Sequence, residues 1–291
     1  MFSITGITGQ VGGAVARTLL ASNQPIRAVV RDAAKGAAWA ARGCEIALAE
    51  MNDPAALAAA FAGAEGVFVL LPSNFDPSPD FSETRKTLSA LRTALEAARP
   101  ARIVCLSTIG AQATEYNLLS QLGLLEQALG ELPIPVAFLR AAWFMENAAW
   151  DVAPARERGV IPSFLHPLDK PFPMVATVDI GRLAAGLLRE TWSGLRVVEL
   201  EGPRRVTPNE VSAAFSKILG RPVRMAAVPR ETWEPLFKSQ GMKNPLPRMR
   251  MLDGFNEGWI EFSGGQENSR KGVTPLETVL AALVNPVPPS L

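Results

Sequence analysis

Short apolar runs alternate with longer segments of helical periodicity along the first half of the chain. The runs lack a regular alternation of polar and apolar side chains, which indicates strands buried on both faces. This pattern predicts βαβ units and therefore an α/β fold with a doubly wound parallel sheet. The candidate strands are Phe2–Thr5, Ile26–Arg31, Glu45–Ala49, Gly66–Leu70, Arg102–Ser107 and Pro135–Arg140. The candidate helices between them are Val11–Ser22, Pro54–Ala62, Thr84–Ala98 and Ser120–Gly130.

The alternation of strands and helices becomes less regular in the second half of the chain. Val197–Glu201 and Arg221–Val228 have the apolar character of strands. Between them, Thr207 and Glu210 have the spacing of a capping box with Pro208 at the first helical position, which predicts the start of a helix. These elements indicate a smaller C-terminal α/β lobe beside the main sheet.

A glycine-rich turn joins the first candidate strand to the first candidate helix, with the spacing GxxGxxG. The first glycine permits a tight turn, the second lets the backbone approach a pyrophosphate, and the third lets helix and strand pack closely. N–H groups at the helix start can then bind the phosphates. The same glycines could serve the turn alone, but their context predicts a dinucleotide-binding, Rossmann-type sheet. The residues expected at the cofactor are Gly6, Thr8, Gly9, Gln10, Val11 and Gly12.

The position of the glycine turn indicates which part of the chain binds the cofactor and which part is left for the substrate. Residues 1–142 are predicted to form an NAD(P)-binding Rossmann domain, and residues 143–291 a smaller substrate-side lobe. The two are expected to interleave, because the main sheet regains a strand near residues 174–201. The lobe itself is expected to come mainly from residues 144–173 and 231–272.

The end of the second strand distinguishes the two nicotinamide cofactors. An acidic residue there accepts a hydrogen bond from the ribose 2′-hydroxyl of NAD, whereas an arginine can pair with the 2′-phosphate of NADP. Arg31 ends the strand, and Lys35 adds a second positive charge nearby. Asp32 follows directly and fits either an NAD preference or a helix cap. The pattern favours NADP(H), unless Arg31 is only a solvated surface residue.

Composition excludes several classes of function. The chain carries 29 Lys and Arg against 28 Asp and Glu, so its net charge of +1 gives no broad field for nucleic acid or an anionic membrane. No apolar segment approaches the ~20 residues of a membrane span and no basic segment precedes the first strand, so a cytoplasmic protein without membrane partners is expected. Cys44 and Cys105 lie in apolar contexts, and His166 is the only histidine; buried thiols and no metal site are therefore expected.

Thr5–Gly13 and Arg27–Asp32 resemble the NmrA-like family of atypical short-chain dehydrogenases. Leu139–Asn147 is similar to the family's LRxxxFxEN signature, and Glu199–Pro203 and Thr207–Glu210 resemble its C-terminal lobe. The resemblance covers nearly the whole chain. It implies further cofactor contacts from a pair of residues beside the adenine and from the end of the fourth strand, namely Glu50, Met51, Leu70, Leu71 and Pro72.

The resemblance implies one of two activities. Family members that are enzymes reduce quinones or triphenylmethane dyes with NADPH. Other members are cofactor-sensing regulators without turnover. The residues that carry proton transfer in short-chain dehydrogenases therefore need to be located in this chain.

The proton relay of typical short-chain dehydrogenases is incomplete here. Those enzymes carry a serine on the fifth strand and a YxxxK pair on the next helix, where the tyrosine transfers a proton and the lysine lowers its pKa. Ser107 and Thr108 occupy the serine position and are the candidate catalytic residues. By the resemblance, Leu118 and Leu122 occupy the tyrosine and lysine positions.

Tyr116 is the only tyrosine of the chain, and the residue four positions later is Ser120 instead of lysine. Alcohol dehydrogenases, sugar epimerases and dehydratases of this type need a base at the substrate hydroxyl. The missing pair therefore argues against these three kinds of chemistry.

Quinone reduction makes a smaller demand on the protein. A quinone is electron-poor and its reduced oxygen can take a proton from water, so hydride transfer depends mainly on proximity and orientation. The aromatic segment after the sixth strand can supply an apolar wall for such an acceptor. The candidate substrate residues are Trp143, Phe144, Met145, Trp150 and Phe164 for the wall, Asn147 as a polar anchor and His166 as a donor.

Trp143 and Phe144 are equally explained as core residues, and His166 as a solvated loop histidine. The sequence thus predicts an NADPH-dependent oxidoreductase whose partner is a small quinone-like or dye-like aromatic acceptor. The alternative is a non-catalytic NADP(H) sensor in which binding orders the loop Pro72–Asp80 and alters a protein contact. A monomer and a homodimer are both compatible with the apolar helix faces.

Overall fold

The computed structural model of the protein describes residues 1–286. Its strands are β1 (Phe2–Ile4), β2 (Ile26–Val30), β3 (Glu45–Leu48), β4 (Gly66–Val69), β5 (Arg102–Thr108), β6 (Val136–Ala141), β7 (Trp143–Phe144), β8 (Val160–Ser163), β9 (Met174–Val175), β10 (Leu195–Glu201), β11 (Arg224–Ala227) and β12 (Arg270–Lys271). Its α-helices are α1 (Gln10–Ala21), α2 (Ala33–Ala40), α3 (Pro54–Phe61), α4 (Ser82–Ala98), α5 (Ser120–Gly130), α6 (Val152–Arg158), α7 (Thr177–Arg189), α8 (Pro208–Leu219), α9 (Trp233–Ser239), α10 (Leu246–Glu257), α11 (Gly265–Asn268) and α12 (Leu276–Val284). Short 3-10 segments lie at Met145–Asp151 and Arg230–Thr232.

The main sheet has eight parallel strands in the order β3-β2-β1-β4-β5-β6-β10-β12. The first six positions are those of a Rossmann-type sheet, in which the chain starts in the middle and winds outward in both directions. The predicted α/β fold with a doubly wound parallel sheet is confirmed. The strand predicted at Val197–Glu201 is present as part of β10, beside β6. Two small sheets, β8 with β11 and β7 with β9, lie in the second half.

Helix α2 is absent from the sequence-based prediction. Its sequence AAKGAAWA buries only Gly36 and Trp39, so it has no apolar stripe for periodicity to detect. Alanine has the highest helix propensity, and Asp32 caps the first turn. The helix therefore depends on propensity and capping more than on an amphipathic pattern.

The alternation of side chains along the central strands builds a core on each face of the sheet. On β5, Ile103 and Cys105 pack with α3, α4 and α5. Val104 and Leu106 point the other way and pack with α1 and α7. Helices on both faces explain why these strands are apolar without alternation.

Several expectations from composition can be compared with the structure. Cys44 and Cys105 are both buried, as predicted. Burial raises the pKa of each thiol, which disfavours the reactive thiolate. Within residues 1–286, no helix is long and apolar enough to cross a membrane, and no group of three or more His, Cys, Asp or Glu side chains is placed to hold a metal ion.

Helices α1 and α7 pack at very short range on one face of the sheet. A Cβ at residue 181 would lie 2.8 Å from the carbonyl carbon of Ala14 and 2.9 Å from the backbone nitrogen of Val15. These are backbone atoms that cannot rotate away. Gly181 is therefore needed for the observed separation of the two helices, and so for the position of α1 on the sheet.

We expect Gly181→Ala to lower the free energy of unfolding by about 1–3 kcal/mol, because the added methyl group forces α7 away from α1. Gly186→Ala on the same helix is the matched control, since a Cβ there meets nothing within 4 Å. That change should raise stability by about 0.5–1 kcal/mol, because alanine has the better helix propensity. Urea unfolding measures both values, and equal stabilities of the two variants would contradict the packing argument.

Candidate active site

Strands β1 and β4 end side by side at the point where the order of the sheet reverses. The backbone N–H and the hydroxyl of Thr5 both donate to the carbonyl oxygen of Phe68, at 3.1 and 3.0 Å. The same hydroxyl accepts from the backbone N–H of Leu70 at 2.8 Å. In open α/β sheets, ligands bind in the crevice at this reversal, beyond the carboxyl ends of the strands. Thr5 thus fixes the two strand ends that border the crevice.

The glycine turn brings the start of α1 to the same crevice. Gly6 has a positive φ of +62°, and a Cβ at residue 12 would lie 2.6 Å from its carbonyl carbon and 2.9 Å from the nitrogen of Ile7. Only glycine at position 12 permits this approach. Gly9 is the N-cap, no side chain caps the helix, and its first turn has no acidic residue. The helix start thus keeps a partial positive charge in the crevice, with Thr8, Gly9 and Gln10 exposed there.

The carboxyl end of β2 carries the residues predicted to choose the cofactor. The carboxylate of Asp32 accepts from the backbone N–H of Ala34 at 2.9 Å and caps α2. The sequence allowed Asp32 either to favour NAD or to cap a helix, and the helix cap is confirmed. Arg31 and Lys35 are exposed, and neither has an ion-pair partner within the described chain. Two cations that form no ion pair within residues 1–286 therefore flank the start of α2.

The residues after β3 and β4 lie at the same edge of the sheet, because the strands are parallel. Glu50 is exposed and Met51 is half-buried against the core under α3 and α4. Leu70 and Leu71 are half-buried, and Pro72 is exposed. The structure thus brings the predicted cofactor residues to one edge of the sheet, with the side chain of Val11 buried in the core beneath the start of α1.

Ser107 belongs to a buried ionic cluster on the α5 side of the sheet. Its hydroxyl donates to Glu126 Oε1 at 2.6 Å. The same carboxylate accepts two hydrogen bonds from the guanidinium of Arg140, at 2.9 and 2.7 Å. Arg140 also donates to the Ser263 hydroxyl at 2.6 Å and to Glu199 at 3.3 Å. The hydroxyl proton of Ser107 is therefore directed into the cluster.

The charges of this cluster compensate one another away from water. The side chains of Arg140, Glu126 and Glu199 are 8%, 13% and 9% exposed. Burial alone would lower the pKa of Arg140, but the two carboxylates raise it above its ordinary value. Glu199 also accepts from the backbone N–H groups of Ser263 and Gly264. The cluster holds β5, β6, β10 and α5 in fixed positions.

Thr108 points to the opposite face of the sheet from Ser107, because side chains alternate along β5. It is half-buried and pairs with Ala141 at the end of β6. Its side-chain hydroxyl makes no hydrogen bond within the described part of the chain. Of the two candidate catalytic residues, Thr108 is thus the one whose proton is available to a bound molecule.

The positions assigned to the proton relay are apolar in their surroundings as well as in their side chains. Leu118 is 5% exposed, and its backbone N–H donates to the carbonyl oxygen of Pro247 in α10 at 2.9 Å. Leu122 is half-buried on α5. Tyr116 packs on Phe81, with 5.2 Å between ring centroids, so its ring belongs to the start of α4.

In the second half of the LRxxxFxEN signature, the glutamate has a structural role at the start of α7. The carboxylate of Glu146 accepts from the backbone N–H of Thr177 at 2.9 and 3.1 Å and from its hydroxyl at 2.6 Å. This caps the start of α7, the helix that packs on α1. Asn147 is exposed and Trp150 is 84% exposed, so neither is enclosed by other side chains.

Aromatic side chains from the second half of the chain form two groups that pack against the main core. Trp143 packs edge-on against Phe255 of α10, with 5.3 Å between ring centroids. Phe164 contacts Trp233 and Phe237 of α9, at 5.7 and 5.2 Å. Sequence reasoning named Trp143 and Phe164 but not their three partners. The partners come from the segment 231–272 that was assigned to the lobe as a whole.

The loop that carries His166 is attached to α10. Its backbone N–H donates to Asn256 Oδ1 at 2.9 Å, and Asn256 Nδ2 donates to the carbonyl oxygen of Phe164 at 2.9 Å. The imidazole ring lies 6.2 Å from the ring of Trp233. Phe144 is half-buried against the main core. His166 therefore lies beside the aromatic cluster, on a loop that α10 holds in place.

The loop Pro72–Asp80 is tied to the segment that precedes α10. The carboxylate of Asp76 accepts from the backbone N–H groups of Lys243 and Asn244, at 2.9 and 2.7 Å. These two bonds hold the pKa of Asp76 below its ordinary value. The side chain of Asn244 donates in return to the carbonyl oxygen of Pro77 at 3.0 Å. The crevice is thus bordered by two segments that are hydrogen-bonded to each other.

Known proteins resemble this chain over almost its whole length. It is 31% identical over 259 residues to an NAD(P)H azoreductase of Xenophilus azovorans, an alignment that covers 88% of this chain and 85% of the relative. It is 28% identical over 251 residues to quinone oxidoreductase 2 of Escherichia coli (strain K12), with 86% and 85% covered.

A solved structure has the same architecture. It is an NADPH-dependent quinone oxidoreductase of Escherichia coli in complex with NADPH, with a TM-score of 0.81 and 26% sequence identity. The match covers 98% of this chain and 100% of that one. The sequence model of the NmrA-like family matches residues 2–272. This chain therefore belongs to the NmrA-like family.

Proposed function

We propose that this protein is an NADPH-dependent oxidoreductase that reduces a quinone-like or dye-like aromatic acceptor. The observation that carries the proposal is the half-buried ring of Trp143 beyond the end of β6, supported edge-on by the buried Phe255, with Leu118 at the relay position. Such a site can hold a flat aromatic molecule but offers no tyrosine to an alcohol. The names of the two relatives, an azoreductase and a quinone oxidoreductase, support the same class of acceptor.

NADP(H) fits the residues around the glycine turn. The uncapped start of α1 offers backbone N–H groups to the pyrophosphate, and the closeness of Gly12 to Gly6 leaves the room that a larger residue would fill. Arg31 and Lys35 supply positive charge for the 2′-phosphate. When bound, NADPH supplies the hydride that the acceptor receives. The flanking contacts that we propose are Glu50, Met51, Leu70, Leu71 and Pro72.

Thr108 is the proposed donor to the acceptor oxygen. Its hydroxyl is free of other hydrogen bonds in the described chain and lies at the carboxyl end of β5. Ser107 is proposed as a positioning residue, because its proton is bound to Glu126. No side chain of the relay supplies a proton, so water protonates the reduced oxygen. This limits the chemistry to acceptors that need no strong acid.

The aromatic cluster is the proposed orienting device for the acceptor. Trp143 and Phe144 continue directly from β6, and Phe255 faces them from α10. Asn147 and His166 are proposed as polar groups at the mouth of this site. Holding the acceptor in one plane is what hydride transfer mainly requires from the protein.

Following the absorbance of NADPH with benzoquinones, naphthoquinones, an azo dye and a triphenylmethane dye tests the proposal, with NADH in parallel. We expect saturable oxidation that is faster with NADPH. Arg31→Glu should lower kcat/KM for NADPH by about tenfold or more and change that for NADH by less than about threefold. Calorimetric binding of NADPH without turnover of any acceptor would favour the cofactor-sensing alternative instead.

We expect Thr108→Val to lower kcat by about 10- to 100-fold without changing the Kd for NADPH, because a donor to the acceptor oxygen is lost. Ser107→Ala is the matched variant from the other face of β5. It should leave kcat within about threefold and lower the free energy of unfolding by ~1–3 kcal/mol, because Glu126 loses a donor. Steady-state kinetics and urea unfolding distinguish the two. A larger fall in kcat for Ser107→Ala would reverse the assignment.

We expect Gly12→Ala to weaken NADPH binding by about tenfold or more, because the methyl group displaces the backbone of the glycine turn. Gly13→Ala is the milder control, since a Cβ there meets the flexible end of Arg17 at 3.1 Å and the carbonyl oxygen of Ile7 at 3.2 Å, whereas at position 12 it lies 2.6 Å from the carbonyl carbon of Gly6. That variant should bind within about threefold of the unmodified protein. Calorimetry measures both Kd values, and circular dichroism checks the fold. Unchanged binding by a folded Gly12→Ala variant would place the cofactor elsewhere.

A further inference from the structure

Arg248 is a half-buried arginine without an acidic partner in the part of the chain that the structure describes. Three other partly buried arginines, Arg140, Arg205 and Arg230, are each paired with Asp or Glu, and the pKa of each is raised. The half-buried Arg250 resembles Arg248 in lying over an aromatic ring without an ion pair in the described residues. Burial lowers the pKa of Arg248, because desolvation disfavours the charged form. A guanidinium removed from water without an anion is destabilising, so its position calls for an explanation.

The guanidinium of Arg248 stacks with its flat face on an aromatic ring, and its edge makes only one weak contact. Its Cζ lies 4.3 Å from the ring centroid of Phe237, and Nη1 lies 3.7 Å from Met242 Sδ, a weak acceptor. Within residues 1–286, Trp192 Nε1 is the only fully buried side-chain nitrogen or oxygen without a partner. The Nε and Nη2 atoms of Arg248 have no hydrogen-bond partner in the described residues and are not among the fully buried atoms, so they are accessible to solvent. A guanidinium stacked in this way keeps its edge free for an anion.

The helix period places Arg248 on the acceptor side of α10. Arg248 and Phe255 are two turns apart, so they share one face of the helix at a distance of about 10 Å along its axis. Phe255 contacts Trp143 beyond the end of β6. At the other end, the carbonyl oxygen of Pro247 accepts from the N–H of Leu118, the relay position. Arg248 therefore lies on the Phe255 side of α10, near the end of the helix that contacts Leu118, and we place it beside the proposed acceptor site.

We propose that Arg248 binds a carboxylate or sulfonate group of the aromatic acceptor. The inference rests on the proposed reductase function and adds a charge requirement to it. The aromatic rings lie against the half-buried Trp143, which the buried Phe255 supports, and the acidic substituent extends along α10 to the free edge of the guanidinium. An anionic acceptor supplies the negative charge that the described chain does not place beside Arg248. A cationic dye would be repelled by the guanidinium.

Two matched acceptors, 1,4-naphthoquinone and 1,4-naphthoquinone-2-sulfonate, test this site. Each is compared between the unmodified protein and its variants, so the intrinsic reactivity of each quinone cancels. Arg248→Ala should lower kcat/KM for the sulfonate by about tenfold or more and that for the neutral quinone by less than about threefold. Arg248→Gln keeps the apolar stem on Phe237 and should give the same selective loss.

Arg250→Ala is the control on the same helix, because it removes a guanidinium that lies over Trp259. It should change kcat/KM for neither quinone by more than about threefold. An equal loss for the charged and the neutral quinone in the Arg248 variants would overturn the proposal.

Binding without turnover separates this proposal from the proposed function. Naphthalene-2-sulfonate and naphthalene-2-carboxylate are titrated by calorimetry into protein saturated with NADP⁺, and the pair identifies which anion is preferred. We expect Arg248→Gln to weaken the preferred ligand by about tenfold and Arg250→Ala to leave it unchanged. If no acceptor is turned over but this binding depends on Arg248, the reductase function fails and the anion site stands. Binding that is unaffected by Arg248→Gln overturns the anion site, whatever the turnover.

Discussion

The close approach of α1 to the turn after β1 determines where the rest of the site lies. Gly6 adopts a positive φ, and its carbonyl group faces Gly12 so closely that no side chain fits between them. This aims the helix start at the crevice between β1 and β4, whose ends Thr5 joins. On its far side α1 is held by α7 through Gly181, and Glu146 caps α7. The glycine turn and the LRxxxFxEN signature thus belong to one continuous packing arrangement.

On the α1 and α7 face of the sheet, close packing depends on glycines. On the α5 face, the elements are joined by buried ion pairs. Arg140 joins Glu126 on α5 to Glu199 on β10, and removing one partner of such a buried group costs about 3–5 kcal/mol. Ser107 donates to the same carboxylate. A serine at this point of the fold therefore has a structural role that needs neither the tyrosine nor the lysine of the usual relay. The sequence motif alone does not reveal this role.

Local patterns made the doubly wound parallel sheet and its central strands predictable, because buried parallel strands and a glycine turn leave signals within a few residues. Helix α2 was missed because it has no apolar stripe. The direction of Ser107 could have been read from the two-residue period of β5, but its partner Glu126 comes from a tertiary contact. Phe255 and Arg248 went unnamed for the same reason. Prolines and short helices break the periodicity of their segment, and their contacts join distant parts of the chain.

The apolar relay position and the aromatic wall are consequences of the same packing. A tyrosine and lysine at the start of α5 would need polar partners and access to the substrate. Leu118 is instead buried, and its N–H donates to the carbonyl oxygen of Pro247, so the start of α10 is hydrogen-bonded to the segment just before α5. Docked there, α10 carries Phe255 to Trp143. The same packing thus places an apolar residue at the relay position and an aromatic residue behind Trp143, and both features agree with the proposed electron-poor aromatic acceptor.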